Sequence, residues 1–336
     1  MYFLRTFVWT LSLCAFLFLS CSNDEKKEGG SNNENEETVD SEIVNMLKEC
    51  STVKTVQSWK VTTLAEGVTY LKTQIVKASE RPATMYIVKM DANAPGAALK
   101  TGCRVPAAGE TFPYAMSYPI DIAKMFDTDD EQVAAVIGGD FFRWLDSQLE
   151  NPQPIDYGCR GPLHHRGKVL QDHFVPETTF PHQALSFLAV DKNGKVIIAD
   201  AAEYAGMKQN LQECTGGGYR MLRDGKICKG FDITLNGNYN ALEDKYPFSS
   251  IGYRADGTVI MMIVDGRTDV SMGLTYAEAG DLMKSMGCTN SVMLDGGGSA
   301  QIVTKDQKTG NFALQNKATD GGQRQMRTFW MITVKK

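Results

Sequence analysis

Residues 292–303 read VMLDGGGSAQIV, an apolar run broken by one carboxylate, Asp295, and three consecutive glycines. The residues after the glycines decide how the segment folds. A glycine-rich loop leading into a helix would hold phosphate on helix N–H groups. Here Ala300-Gln-Ile-Val303 reads as strand and no Lys-Ser/Thr comes next, so the segment is not a nucleotide loop of the Walker type. It is strand–turn–strand, in which bare backbone N–H groups can still form an anion-binding concavity. Glycine costs backbone entropy wherever it is ordered, so three together serve either a tight turn or a close approach of backbone and Asp295 to a ligand. Spacing alone leaves both readings open.

The surrounding sequence extends the β reading. SFLAVDKNGKVIIAD (186–200) is a hairpin on Asn193-Gly194, SIGYRADGTVIMMIVDGR (250–267) repeats the design on Asp256-Gly257, and GYRMLRDGKICKG (218–230) places Asp224-Gly225 likewise. VTYLKTQIV (68–76) alternates and ATMYIVKM (83–90) is rich in strand formers. Helices are fewer: 41–50, 118–129, and 275–287, where Thr275 and Glu278 have the spacing of a capping box and Gly287 stands at the stop position. These signals predict an α+β fold of mixed, mostly antiparallel twisted sheets with a few packed helices.

Length and composition set the frame. The chain has 336 residues, 43% hydrophobic and 22% charged, which suffices for a sizeable core. Its net charge of −5 gives no electrostatic case for nucleic acid. Residues 1–20 carry one Arg before a mainly apolar stretch too short to span a bilayer, the shape of a secretory signal. They end at Phe18-Leu-Ser-Cys21, similar to a bacterial lipobox, which predicts lipidation of Cys21 and an outer-membrane lipoprotein facing the periplasm or the cell surface. Residues 21–40 are polar, acidic and Gly/Asn-rich and read as a flexible tether. No repeat or linker divides 41–336, which reads as one domain touching a membrane only through its anchor. Six cysteines remain, at 50, 103, 159, 214, 228 and 288, without a CxxC; Cys214–Cys228 is the first candidate disulfide, with unpaired buried thiols as the alternative.

The residues suited to chemistry concentrate in the C-terminal third. Asp265-Gly-Arg267 closes an apolar strand, and arginine offers a planar fork for phosphate or carboxylate oxygens; a turn with a surface Asp–Arg pair is the plainer reading. Glu278 is a candidate carboxylate that the capping box already accounts for. Asp140, in GGDFFRW (138–144), follows two glycines and precedes aromatics that suit either a sugar-stacking loop or core. Arg324 precedes the last strand. The four histidines show no metal-ligand spacing, and no Ser/His/Asp arrangement is recognisable. Nothing in the sequence requires a cofactor, although carboxylates and turn carbonyls can bind a divalent cation without fixed spacing.

GGDFF, GGYRMLRDGK, GYRADGTVIMMIVDGR, GLTYAEAGDLMKSMGCTNSVMLDGGGSA and NKATDGGQRQMRTF occur in the order and rough spacing of the phosphodiester glycosidase domain. The resemblance runs from about residue 65 to the C-terminus. Two departures are visible: Gly138-Gly-Asp140-Phe-Phe stands where relatives have Asn-Gly-Gly-Phe-Phe, and the closing segment lacks the usual Pro and last Asn. The resemblance implies a sugar joined through its anomeric oxygen to a phosphodiester, hydrolysed at the glycosidic bond. Such a site needs donors for phosphate and a carboxylate for the sugar carbon or for water. It assigns Arg267, Arg324, Gly296, Gly297, Gly298 and Ser299 to phosphate, with Asp265 and Asp140 beside them, and Asp295 and Glu278 to chemistry. A non-catalytic glycan-binding lipoprotein, and a phosphoesterase cutting the P–O bond, are the competing readings.

Overall fold

In the computed structural model the frame is an eight-stranded sheet that begins with three consecutive antiparallel strands, β1 (Val53–Ala65), β2 (Val68–Lys77) and β3 (Pro82–Met90). It continues through Val259–Val264, Phe248–Arg254, Cys288–Met293, Arg220–Arg223 and Lys226–Ile227. The structure describes residues 42–105, 114–143, 158–176, 180–228, 234–235, 239–240, 246–319 and 321–336. Cys21, the leader and the tether lie outside them. Val39–Lys336 makes one compact unit. The alternation of apolar and polar residues along β2 gives two different faces, as period 2 requires.

One face buries Leu71, Ile75, Met85 and Ile87 against the helices Glu42–Lys48 and Tyr276–Ser285. The other buries Val68, Tyr70, Val88, Ile263 and Val292 against two five-stranded sheets. The first of these contains Glu131–Gly138 between Ile302–Lys305 and Phe329–Lys335, and contributes Ile137, Ile302 and Trp330. The second contains the 186–200 hairpin and contributes Leu188 and Ile198. Each fully buried side chain of this size contributes about 1.5–3 kcal/mol by leaving water, so this inter-sheet layer is a principal source of stability.

The three hairpin turns form where the XG pairs stand. Gly194, Gly225 and Gly257 all have positive φ, and Asp224 precedes Gly225 in the left-handed region too, as a type I′ turn requires. Helix Tyr276–Ser285 has the expected capping box, with Thr275 Oγ1 accepting from Glu278 N and the Glu278 carboxylate accepting from Thr275 N. Gly287 ends the turn at φ 85°. The cysteine expectation resolves to unpaired thiols: all six are free. Cys214 lies in strand Leu211–Gly217 of a five-stranded sheet, whereas Cys228 follows Lys226–Ile227 of the large one, so they do not flank a common hairpin.

Candidate active site

The LDGGGS segment is strand–turn–strand, but its two strands belong to different sheets. Cys288–Met293 pairs with Phe248–Arg254 in the large sheet, and Ile302–Lys305 pairs with Glu131–Gly138 in a five-stranded one. The glycines therefore carry the chain across the gap between layers. The crossing is fixed on both sides. Asp295 N–H donates to Gly139 O (3.1 Å), and Gly297 N–H donates to Pro247 O (3.0 Å). A Cβ on Gly296 would stand 2.7 Å from Pro247 O, and one on Gly138 would stand 2.7 Å from Ser299 O. Only glycine allows this approach.

Beside the crossing is a cleft of about 190 Å³, lined by Asp295, Gly296, Gly297, Gly298, Arg267 and Arg324 with a wall of aromatic side chains. Arg267 follows strand Val259–Val264 and is held in the left-handed region, φ 61°. A residue other than glycine persists there only where its surroundings fix it. The Arg267 guanidinium lies 5.4 Å from the centre of the Tyr246 ring. Arg324 is tied to the crossing by Gln301, which is fully buried. Gln301 Nε2 donates to Gly298 O (3.1 Å) and to Arg324 O (3.1 Å), and Arg324 N–H donates to Gln301 Oε1 (3.2 Å). Arg324 Nη1 also reaches Ser299 Oγ at 3.5 Å.

Among the described residues, Asp295 is the one carboxylate in this lining. Burial pushes its carboxyl up to about 6, against the opposing pull of Ser299, of the Arg324 charge and of the Gly296 N–H. It is thus ionised at neutral pH yet poorly hydrated, a combination suited to base or ion-pair chemistry. Two arginines supply positive charge in the same lining, and the aromatic wall lowers the local dielectric.

The other expected site residues are placed elsewhere. Glu278 lies outside the cleft lining, and its Oε2 is engaged by Lys77 Nζ (3.0 Å) besides the helix cap, so it is not brought to Asp295 as a second carboxylate. Asp140 is buried behind the cleft rather than in it. Its Oδ2 accepts from Gly161 N–H (2.7 Å), and its own N–H donates to Thr328 Oγ1 (2.9 Å). Burial raises its carboxyl well above the usual range, and the neighbouring Asp295 charge adds to this. A Cβ on Gly216 would fall 2.5 Å from Asp140 Oδ2, so the carboxyl is packed on backbone. Asp265 points away from the cleft: Oδ2 accepts from Tyr86 OH (2.9 Å) and Oδ1 from Asn316 Nδ2 (3.0 Å). Of the three expected glycine N–H donors, that of Gly297 is already given to Pro247.

Two contributors carry no clear mark in the sequence. Gln301 is one, hidden as a polar residue in an apolar strand start. His182 is the other. It is buried in the cleft lining, stacked on Tyr219 at 6.1 Å and edge-on to Phe141 at 5.8 Å, and its Nδ1 has no protein partner among the described residues. Burial pushes its imidazole down to about 4, so it is neutral at physiological pH. Metal-ligand spacing gives no signal for a lone neutral histidine in an aromatic wall.

The phosphodiester glycosidase family profile matches residues 130–333, more than half of the chain, a span that holds all the described residues of the cleft lining. An uncharacterized SPbeta prophage-derived protein of Bacillus subtilis, YomE, is 40% identical over 72 residues, which are 21% of this chain and 11% of that protein. Among solved structures, the zebrafish N-acetylglucosamine-1-phosphodiester α-N-acetylglucosaminidase catalytic domain, auto-inhibited by its pro-peptide, superposes with a TM-score of 0.56 at 16% identity, covering 82% of this chain and 88% of that one. A putative exported protein of Burkholderia pseudomallei gives 0.53 at 13% identity, over 83% and 97% of the two chains. These structures share the fold, and the profile settles the kinship: the chain belongs to the phosphodiester glycosidase family.

Proposed function

We propose that the protein hydrolyses the glycosidic bond of a sugar-1-phosphodiester on envelope or environmental glycans, an N-acetylglucosamine-like sugar leaving its phosphate. The observation that carries this reading is the convergence of Asp295 with Arg267 and Arg324 on one cleft. A phosphodiester anion seated between two arginines is bound as a planar or tetrahedral oxyanion is elsewhere, by forked, charge-assisted hydrogen bonds. The sugar ring rests against the aromatic wall. As the bond from the anomeric carbon to phosphate oxygen breaks, its electron pair goes to the phosphate, whose growing charge the arginines stabilise. Positive charge develops at the anomeric carbon, facing Asp295. Water adds to that carbon and gives its proton to the Asp295 carboxylate. A phosphate monoester is a good leaving group and needs no protonation by a second carboxylic acid, which agrees with the single carboxylate among the described residues of the lining.

The tether and a lipid on Cys21 would hold this activity at the cell envelope. Incubation with an N-acetylglucosamine-α-1-phosphodiester, with products identified by mass spectrometry, tests the reading. Free sugar is the expected product. Sugar phosphate would show P–O cleavage, and binding without turnover would leave only a glycan-binding role.

A further inference from the structure

A second groove of about 470 Å³ opens where the inner face of β1–β3 extends past the facing five-stranded sheet. Two rungs of the ladder form its floor. Ser58, Gln74 and Thr84 are directly paired across the three strands, and two residues along, on the same face, stand Lys60, Lys72 and Tyr86. Paired residues share a face, so one strip offers neutral hydrogen-bonding groups and the adjoining strip two ammonium groups and an aromatic ring. Lys317 lines the groove from beyond strand Phe312–Leu314, the edge of the facing sheet.

The charge arrangement is costly without a ligand. Like charges directly opposite each other across strands are destabilising, and Lys60 and Lys72 are such a pair. Among the described residues, neither they nor Lys317 forms an ion pair with a carboxylate. Lys72 instead stands 5.6 Å over the Tyr86 ring. Among the described residues Asp265 is the single acid in the lining, and its carboxylate already accepts from Tyr86 OH and Asn316 Nδ2. Three lysines gathered in one groove on a chain of net charge −5 make a local reversal of sign.

We infer that this groove is an accessory binding site for an anionic segment of glycan, phosphate on the lysine rung and sugar hydroxyls on the Ser58–Gln74–Thr84 rung. Asp265 lines this groove and Arg267 lines the cleft. Their Cα atoms are at most about 7 Å apart along the chain, so a phosphorylated glycan held here is delivered beside the cleft. The choice of phosphate as the anion rests on the function proposed above; the groove itself does not.

Retention of the full protein on immobilised yeast phosphomannan, in about 50 and 200 mM salt, tests the inference, with dephosphorylated mannan and anionic phospholipid vesicles alongside. Wild type is expected to bind phosphomannan, with binding falling steeply with salt. The K60E/K72E variant should bind at least tenfold more weakly, and K60Q/K72Q several-fold, both turning over a small soluble sugar-1-phosphodiester as wild type does. R267A should lose turnover and keep phosphomannan binding. Undiminished binding by K60E/K72E, equal binding of dephosphorylated mannan, or binding to vesicles alone would overturn the site. Failure of wild type to hydrolyse the small diester while the lysine-dependent retention persists would remove the proposed reaction and leave the groove.

Discussion

The guanidinium of Arg267 lies against Gly297: a Cβ built on that glycine would stand 3.4 Å from Nη2. Gly297 itself is in the left-handed region at φ 58°. Gly297→Ala therefore strains the turn by about 1–2 kcal/mol and crowds the arginine from its position. We expect a lower melting temperature together with at least a tenfold loss in kcat/KM, measured on the small diester. A variant as active and as stable as wild type would show that the turn does not position Arg267.

Asp295 sets the pH dependence. Its carboxyl is raised to about 6, so kcat/KM should fall as pH drops through 6 with a slope of one proton. The sign for stability is the reverse of a salt-bridged acid. Because the folded-state value lies above the unfolded one, the ionised carboxylate disfavours folding at pH above 6, and this penalty vanishes below about 4. Asp295→Asn should abolish turnover yet unfold at higher temperature than wild type at pH 8, by about 1–3 kcal/mol, the gap closing at about pH 4. Equal melting curves at both pH values would contradict this placement of the charge.

Glu278 offers the contrasting case. Its removal takes from the Lys77 ammonium, whose side chain has no solvent exposure, the carboxylate at 3.0 Å, and uncaps the helix. Glu278→Ala should cost about 3 kcal/mol, read from denaturant midpoints, while the folded fraction keeps kcat and KM within about twofold of wild type. A selective loss of kcat at unchanged stability would return Glu278 to the chemistry.

His182 stands in the cleft lining as a neutral ring. Its replacement by phenylalanine keeps the stacking on Tyr219 and removes one hydrogen bond to sugar, worth about 1 kcal/mol. The expected result is KM raised about fivefold with kcat nearly unchanged and the pH profile between about 5 and 8 unmoved. A shifted profile would instead make His182 a titrating catalyst.

Much of this architecture is legible in the chain because its signals are local. The Asn193-Gly194, Asp224-Gly225 and Asp256-Gly257 turns need only their own residues to be recognised, and so does the Thr275–Glu278 cap. Asp295, Arg267 and Arg324 stand out because glycines and charges interrupt strong strand patterns. The hidden part depends on partners distant in sequence. Nothing near Glu278 announces Lys77, 201 residues away, as its ion partner. Asp140 looks exposed beside two glycines until Gly161 and Gly216 close over it. Local pattern also cannot say that strands on either side of the triple glycine join different sheets.

The crossing between sheets has a mechanical side. Arg267 and Asp295 follow strands of the large sheet, while Arg324 precedes Phe329–Lys335 in the facing one. An oxyanion gripped by both arginines acts as a rivet through two layers. Occupancy of so small a cleft should then slow amide exchange along Glu131–Gly138 and Phe248–Arg254, beyond the residues that line it.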